Sequence, residues 1–185
     1  DGLDGLAAGV AGIASITVIL VAIQQGFYPV AVITAALAGG IVGFMRYNFN
    51  PATIFMGDTG SMFIGYMLAA ISIFGAVKSA ATIALIVPAI ALGLPIMDTA
   101  FAIVRRYTNG RPIFQPDKGH LHHRLLAMGM TQRQAVLLMY IISAILGIAA
   151  VLLTEVGGYY AVIIIALIIT AVVFGAKKIG ILNDR

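Results

Sequence analysis

The sequence predicts an all-α fold: a polytopic integral membrane helical bundle, about six transmembrane helices in this chain, one of them kinked or broken by proline. Three observations predict it. First, the 185 residues are 61% hydrophobic and only 10% charged, with a mean hydropathy of +1.05. A soluble core of this length cannot absorb so many apolar side chains, so lipid must be the solvent. Second, six apolar stretches alternate with short polar joints: Leu6–Gln24, Pro29–Tyr47, Thr59–Val77, Ala81–Val104, Val136–Leu153 and Tyr159–Ala176. Each is near the ~20 residues that cross a ~30 Å hydrocarbon core as a helix. Third, the basic residues fall on alternate joints.

That alternation sets the orientation. Of 11 Lys and Arg, only Lys78 lies on the opposite side from the rest if every stretch crosses once. Arg46 follows span two. Arg105, Arg106, Arg111, Lys118, Arg124 and Arg133 lie between spans four and five, and Lys177, Lys178 and Arg185 follow span six. The positive-inside rule makes that side cytoplasmic. The same side receives Asp1, Asp4, Asp58, Asp117, Asp184 and all three His, with Asp98 a turn or two inside the membrane; only Glu155 faces out. A purely structural bundle has no need for that asymmetry of acids. The net charge of +4 does not point to nucleic acid, because the charges form no continuous basic stripe. Anionic lipids or substrates account for it better. With no Cys, disulfides and thiolate metal sites are excluded.

Along the chain, residues 1–5 form a polar entry to span one, and Gly26 to Pro29 make the first external turn. Span two carries Ala35, Gly39 and Gly43 at four-residue spacing, a ridge of small residues that lets another helix approach closely. Span four contains Pro88 and Pro95; each removes a backbone donor and crowds the preceding turn, so this helix should kink or break. Tyr107 to Arg133 form the longest extramembrane segment. Within it, His120 to Met128 reads as a short surface helix, and Thr131 to Gln134 as a capping box opening span five. No internal repeat or linker divides the chain, so residues 1–185 read as a single transmembrane domain. The opening on Asp1, within a polar motif, reads as the C-terminal part of a longer protein or a processed piece.

Four polar constellations carry chemistry. Asp58 stands directly before an apolar span, where a carboxylate is expensive unless solvated, paired or metal-bound. One reading makes it an N-cap for the amides of Gly60 or Ser61. The other uses Gly57 and Gly60 to let backbone approach a phosphate, with Asp58 holding Mg²⁺, a metal that takes one or two carboxylates plus phosphate oxygens. Asp1 and Asp4, three residues apart, can share one helix face or cap the helix that follows. His120, His122 and His123, three His in four residues, suggest Zn²⁺, but the usual His pair four apart with an intervening Glu is absent. Beside Arg124, a phosphate partner suits them better, with neutral and charged imidazole both accessible near pH 7. Arg105, Arg106 and Arg111 are either partners of that phosphate or ordinary cytoplasmic charges. Asp98, after Pro95, is an intramembrane carboxylate and so a functional candidate, or a partner for another helix.

Taken together, Asp1-Gly2-Leu3-Asp4-Gly5-Leu6-Ala7, Phe55-Met56-Gly57-Asp58-Thr59-Gly60-Ser61, Pro95-Ile96-Met97-Asp98, and Phe114 through Asp117 to His120-Leu121-His122-His123-Arg124-Leu125 occur in that order. The ordered set resembles the polyprenyl-phosphate N-acetylhexosamine-1-phosphate transferases, in particular the bacterial undecaprenyl-phosphate N-acetylglucosamine-1-phosphate transferase branch, and spans the whole chain. The resemblance implies an integral inner-membrane enzyme of ten or eleven spans with a cytoplasmic active site. Such an enzyme transfers N-acetylglucosamine-1-phosphate from a UDP-sugar donor to a polyprenyl phosphate acceptor in the lipid bilayer and releases UMP. The step opens the synthesis of a cell-envelope polysaccharide such as lipopolysaccharide O-antigen or teichoic acid. It implies Mg²⁺, with Mn²⁺ as a substitute, and leaves room for a homodimer. Asp58 would be the metal ligand and, with Asp1, Asp4, His122 and His123, catalytic. Gly2, Leu3, Asp4, Asn48 and Phe55 would line the uridine pocket. His120, His122 and His123 would meet the donor's pyrophosphate or sugar, and Arg105 and Arg111 would help with anionic groups. The family also carries a paired-aspartate motif in its N-terminal half, and this chain has no adjacent Asp pair, so residues 1–185 alone are expected to be inactive. The competing readings are a phosphotransferase that uses UDP-N-acetylmuramoyl-pentapeptide, a transporter fragment with a Pro-broken helix, and a noncatalytic scaffold.

Overall fold

A computed structural model describes residues 2–77, 83–110, 112–113, 119–156 and 158–179. The described residues form helices and connecting loops only: α1 (Leu6–Gln24), α2 (Tyr28–Asn48), α3 (Gly57–Val77), α4 (Ile83–Ala91), α5 (Gly93–Thr108), α6 (Leu121–Ala127), α7 (Gln132–Leu153) and α8 (Gly158–Ile179). By length and composition, α1, α2, α3 and α7 are able to cross a membrane, and α8 contains the apolar run Ile163–Val172. Their outer faces carry large apolar side chains with no protein cover, among them Val32, Val42, Tyr66, Ile141 and Ile148. In water such faces would drive association; in lipid they cost nothing.

The expected fourth span is divided. It becomes α4 and α5, separated at Leu92, midway between Pro88 and Pro95. Pro88 sits inside α4, where it supplies no amide to the helix ladder. Pro95 falls in the first turn of α5, where a missing donor does no harm.

The chain's smallest helix surface lies at its centre. α1 packs against α2, α3, α4 and α7. Ala8, Ala14 and Ser15 are fully buried, and the hydroxyls of Ser15 and Thr17 donate to carbonyls one turn back, at 2.8 and 3.1 Å, so neither is left unpaired. Two glycines set the α1–α7 distance. A methyl on Gly9 would lie 2.0 Å from Cζ of Tyr140, and one on Gly147 2.4 Å from Oγ1 of Thr17. By contrast, the ridge of Ala35, Gly39 and Gly43 is not used as expected: a methyl at either glycine would meet nothing within 4 Å. α2 instead buries Val30, Ala31, Thr34 and Ile41, which lie on a different face, more than a third of a turn away.

The two ends of the bundle are tied differently. At one end, Gln24 at the close of α1 donates to Glu155 (3.0 Å) and accepts from Thr154 (3.0 Å), both just past α7. At the other end the polar joints meet. Arg133 Nε donates to the Asn50 carbonyl at 3.1 Å, and Asn50 in turn reaches Asp4. This is the pairing of ends that alternating crossings require. A cluster of Leu6, Val10, Leu94, Leu121, Leu125, Val136, Met139 and Leu146 packs α1, α5, α6 and α7 together beneath that second end. α7 opens on the expected capping box: Thr131 Oγ1 accepts from the Gln134 amide (3.3 Å) and Gln134 Oε1 from the Thr131 amide (2.9 Å).

Candidate active site

The polar end is assembled from three joints. In the first, Gly5 takes a left-handed conformation (φ 77°) that turns the chain into α1. Its amide donates to Oδ1 of Asn48 at 3.1 Å, its carbonyl accepts from the Tyr140 hydroxyl, and Asn48 Nδ2 donates to the Ile54 carbonyl at 3.0 Å. Asn48 is 2% exposed. Its amide therefore clamps the entry loop to the loop after α2, with donor and acceptor both committed to backbone. Asp4 reinforces the same junction. One carboxylate oxygen accepts from Asn50 Nδ2 (3.0 Å) and from the Ala52 amide (3.1 Å).

The second joint delivers Asp58. α3 starts at Gly57, two residues earlier than the apolar pattern predicts, so Asp58 lies within the first turn and not at the cap. Gly57 supplies the positive φ of 63° at that start. The Ser61 hydroxyl donates to the Asp58 backbone carbonyl, at 3.2 Å. Among the described residues nothing engages its carboxylate, which is exposed to solvent at the positive end of α3. Phe55, three residues before, is 74% exposed and presents a free ring.

The third joint carries the histidines. Asp98, on α5, accepts from the Leu121 amide with Oδ1 (2.9 Å) and pairs through Oδ2 with His120 Nδ1 (3.0 Å). It thereby closes the N-terminus of α6 and holds His120 in one step. Asp98 stood out in the sequence as an intramembrane acid and as the end of the third motif. Its partner lies 22 residues on, and no local spacing signals the pairing. His122 is almost fully buried, stacked on His120 with ring centroids 5.9 Å apart and planes 9° apart. The exposed His123 ring tilts against it at 4.1 Å. Two of the imidazoles stack and the third tilts against one of them, and no cluster of three His, Asp or Glu suited to a metal occurs among the described residues.

Burial pushes the His122 imidazole down to about 4, helped by the neighbouring His123 and His120 and opposed by Asp98. His122 is thus neutral at physiological pH, which narrows the sequence expectation that both charge states are accessible. Its Nε2 is buried and has no partner among the described residues. The ring lies directly on the entry loop: a methyl at Gly2 would sit 2.5 Å from Nε2. Only glycine lets the first and fourth motifs approach so closely.

Arg105 is found behind this surface. It is 3% exposed and donates through Nη1 to the Gly119 carbonyl at 3.1 Å, which also accepts from Arg124 Nε at 3.3 Å. Two guanidinium groups so brace the peptide that begins the histidine segment. Asp1 and Arg111 lie outside the described residues.

Between these joints opens a cleft of about 370 Å³. Gly2, Met56, Ser61, Pro95, Asp98, His120 and His122 line it, so all four sequence motifs contribute to one wall or another. A second, apolar groove of about 280 Å³ runs between α5, α7 and α8, lined by Phe101, Ile142, Ile145, Ile168 and Val172. Leu94 and Asp98 line both. Asp58 itself is in the lining of neither; among the described donors a Mg²⁺ ion fits through its carboxylate alone, beside helix amides, because Mg²⁺ keeps waters and takes its remaining oxygens from substrate phosphates. The histidine segment does not fit a structural Zn²⁺.

Residues 1–76 match the family model described as glycosyl transferase family 4. The whole chain is 41% identical, over 185 residues, to a Bacillus subtilis protein named "Probable undecaprenyl-phosphate N-acetylglucosaminyl 1-phosphate transferase", covering 52% of it. Over residues 1–76 the chain belongs to glycosyl transferase family 4. It is also 42% identical over 195 residues to a decaprenyl-phosphate N-acetylglucosaminephosphotransferase of Mycolicibacterium smegmatis, with 94% of this chain and 48% of the relative aligned. A phospho-N-acetylmuramoyl-pentapeptide-transferase of Rubrobacter xylanophilus is 36% identical over 145 residues, 78% of this chain and 42% of the relative. The chain spans about half the length of the relatives it matches.

Proposed function

We propose that the protein transfers N-acetylglucosamine-1-phosphate from UDP-N-acetylglucosamine to undecaprenyl phosphate at the cytoplasmic face of the bacterial inner membrane, releasing UMP. Residues 1–185 are read as one transmembrane catalytic domain within a longer enzyme. One observation carries the reading: the four motifs line a single cleft that shares Leu94 and Asp98 with an apolar groove. A soluble, charged donor and a membrane-bound acceptor need that juxtaposition. The donor enters from the end of the bundle where the basic joints meet, and the hydrocarbon tail stays among α5, α7 and α8.

In this reading Phe55 offers its exposed ring to the uracil, and the free Asp4 oxygen and the Gly2–Leu3 backbone line the nucleotide side. His122 gives a neutral hydrogen bond, and the exposed His123 adds a second ring beside it. Bound Mg²⁺ would neutralise phosphate charge as attacking and leaving oxygens come together. Asp58 would hold it, while the α3 amides and the histidines position the diphosphate. Asn48 and Arg105 support these groups from behind.

The test is UMP release from UDP-N-acetylglucosamine and polyprenyl phosphate by the full-length protein, with and without Mg²⁺, beside Asp58→Asn. Mg²⁺-dependent release that collapses at least 100-fold in the variant supports the reading. An active enzyme indifferent to Asp58→Asn refutes Asp58 as metal ligand. The similarity to a muramoyl-pentapeptide transferase makes that donor the second reading. Competition between the two donors separates them.

A further inference from the structure

The Asp98–His120 contact asks more of the structure than a helix cap requires. Asp98 stands in a wall shared by the cleft the motifs line and the apolar groove, where a carboxylate loses much of its hydration. Its side chain is 16% exposed, and both oxygens are engaged, one by the Leu121 amide and one by His120 Nδ1. Capping α6 needs only the first. An ionised carboxylate accepts and cannot donate, so the hydrogen between Asp98 and His120 belongs to Nδ1. In the neutral imidazole this leaves the lone pair on Nε2. No described residue engages that atom, and His120 lines the cleft beside the Asp98 boundary. An acceptor with its tail in the apolar groove must bring its phosphate to this same boundary.

We propose, building on the transferase reading, that Asp98 is the positioning residue of a proton-accepting dyad in which His120 takes the proton of the acceptor phosphate. A phosphate monoester, its second pKa being about 6, keeps one P–OH in about one molecule in ten at pH 7 and in more as pH falls. His120 Nε2 accepts that proton as the freed oxygen forms a bond to the sugar-bearing phosphorus of the donor. The bond from that phosphorus to the bridging oxygen breaks, and its electron pair leaves with UMP. The proton stays on the imidazolium, stabilised by the Asp98 carboxylate, until the departing UMP or water takes it. Asp98 touches neither substrate; it fixes the tautomer and the ring orientation.

The experiment uses the full-length enzyme in nanodiscs and compares wild type, Asp98→Asn, His120→Gln and the double variant. Asparagine keeps an acceptor for the Leu121 amide, but its NH₂ donates to Nδ1 and moves the imidazole hydrogen to Nε2. Imidazole ¹⁵N spectra are expected to report Nδ1–H in the wild type and Nε2–H in Asp98→Asn. The expected kcat falls about 100-fold in each single variant, the low end for a lost acid–base group, with KM for the UDP-sugar changed less than threefold. The double variant is expected to be no worse than the weaker single, because the pair acts as a unit. An active wild type with Asp98→Asn above a third of its kcat, losses that multiply in the double variant, or Nε2–H in the wild type each overturns the dyad and leaves the transferase reading intact. A folded wild type that releases no UMP from either donor overturns the transferase reading itself. If Asp98→Asn does not fold, His120→Gln, which leaves the Leu121 cap in place, carries the same expectation for kcat and KM.

Discussion

Lowering the pH around His122 is a direct probe of how the histidine segment is held. With its imidazole pushed down to about 4 from 6.5, only about one molecule in a thousand carries charge there at pH 7, against about one in four for an unperturbed His. The unfolded chain binds this proton near pH 6.5 and the folded chain only near 4, so between those values the unfolded state holds more protons. Stability from this residue is therefore complete above about pH 6.5 and is lost as pH falls toward 4. At 1.36 kcal/mol per unit, the loss is about 2 kcal/mol by pH 5 and about 3 kcal/mol at most. The assay has two arms. ¹³C or ¹⁵N titration of labelled histidine, assigned with His122→Gln, gives the ionisation directly. Denaturant unfolding of wild type and His122→Gln at pH 7 and pH 5 gives the linked free energy, since other titrating groups cancel in the difference. A His122 resonance that titrates near 6.5, or a wild-type-minus-variant stability that is flat between pH 7 and 5, would refute the reasoning. The consequence for binding is that His122 contributes the same hydrogen bond to an anionic donor at pH 8 as at pH 6.

Other outcomes follow from the packing. Gly9→Ala forces a methyl into the Tyr140 ring; overpacking of about 1–3 kcal/mol outweighs the roughly 1 kcal/mol gain in helix propensity, so unfolding in mixed detergent should shift to lower denaturant. Asn48→Ala orphans the Gly5 amide and Ile54 carbonyl, which costs about 1–3 kcal/mol, and amide exchange at Gly5 should quicken. Thr131→Ala removes the α7 cap for about 1 kcal/mol, with exchange rising only in the first turn of α7.

Features set by local chemistry were readable from the chain. Apolar run length located the long helices, Thr131 and Gln134 announced their reciprocal cap, and paired prolines foretold the division of the fourth span. The alternation of Lys and Arg anticipated which joints meet. What could not be read depends on contacts between distant positions. Asn48 was placed in the uridine pocket by the resemblance alone; the structure adds that its amide binds two backbone groups on different loops. Asp98 needed a partner 22 residues on and Asp4 one 46 residues on. Arg105 was counted among surface cations, yet folds inward because Gly119 leaves room for a guanidinium that any side chain there would displace. The small-residue ridge of α2 has the right spacing for a close helix contact, but spacing cannot say whether a neighbour arrives.

The break at Leu92 has a mechanical corollary. α1 and α7 are pinned to one another at both extremities and at two glycines between, making a stiff post. α5 is joined to α4 only through a single non-helical residue. Asp98 lies six positions beyond that joint, a lever of about 9 Å at 1.5 Å per residue. A tilt of roughly 10° about Leu92 carries the carboxylate through an arc of about 1.6 Å, enough to part it from an imidazole 3.0 Å away. In the proposed transferase, an acceptor tail lying along α5 would bear on the angle of that lever, and through it on how Asp98 holds the His120 ring.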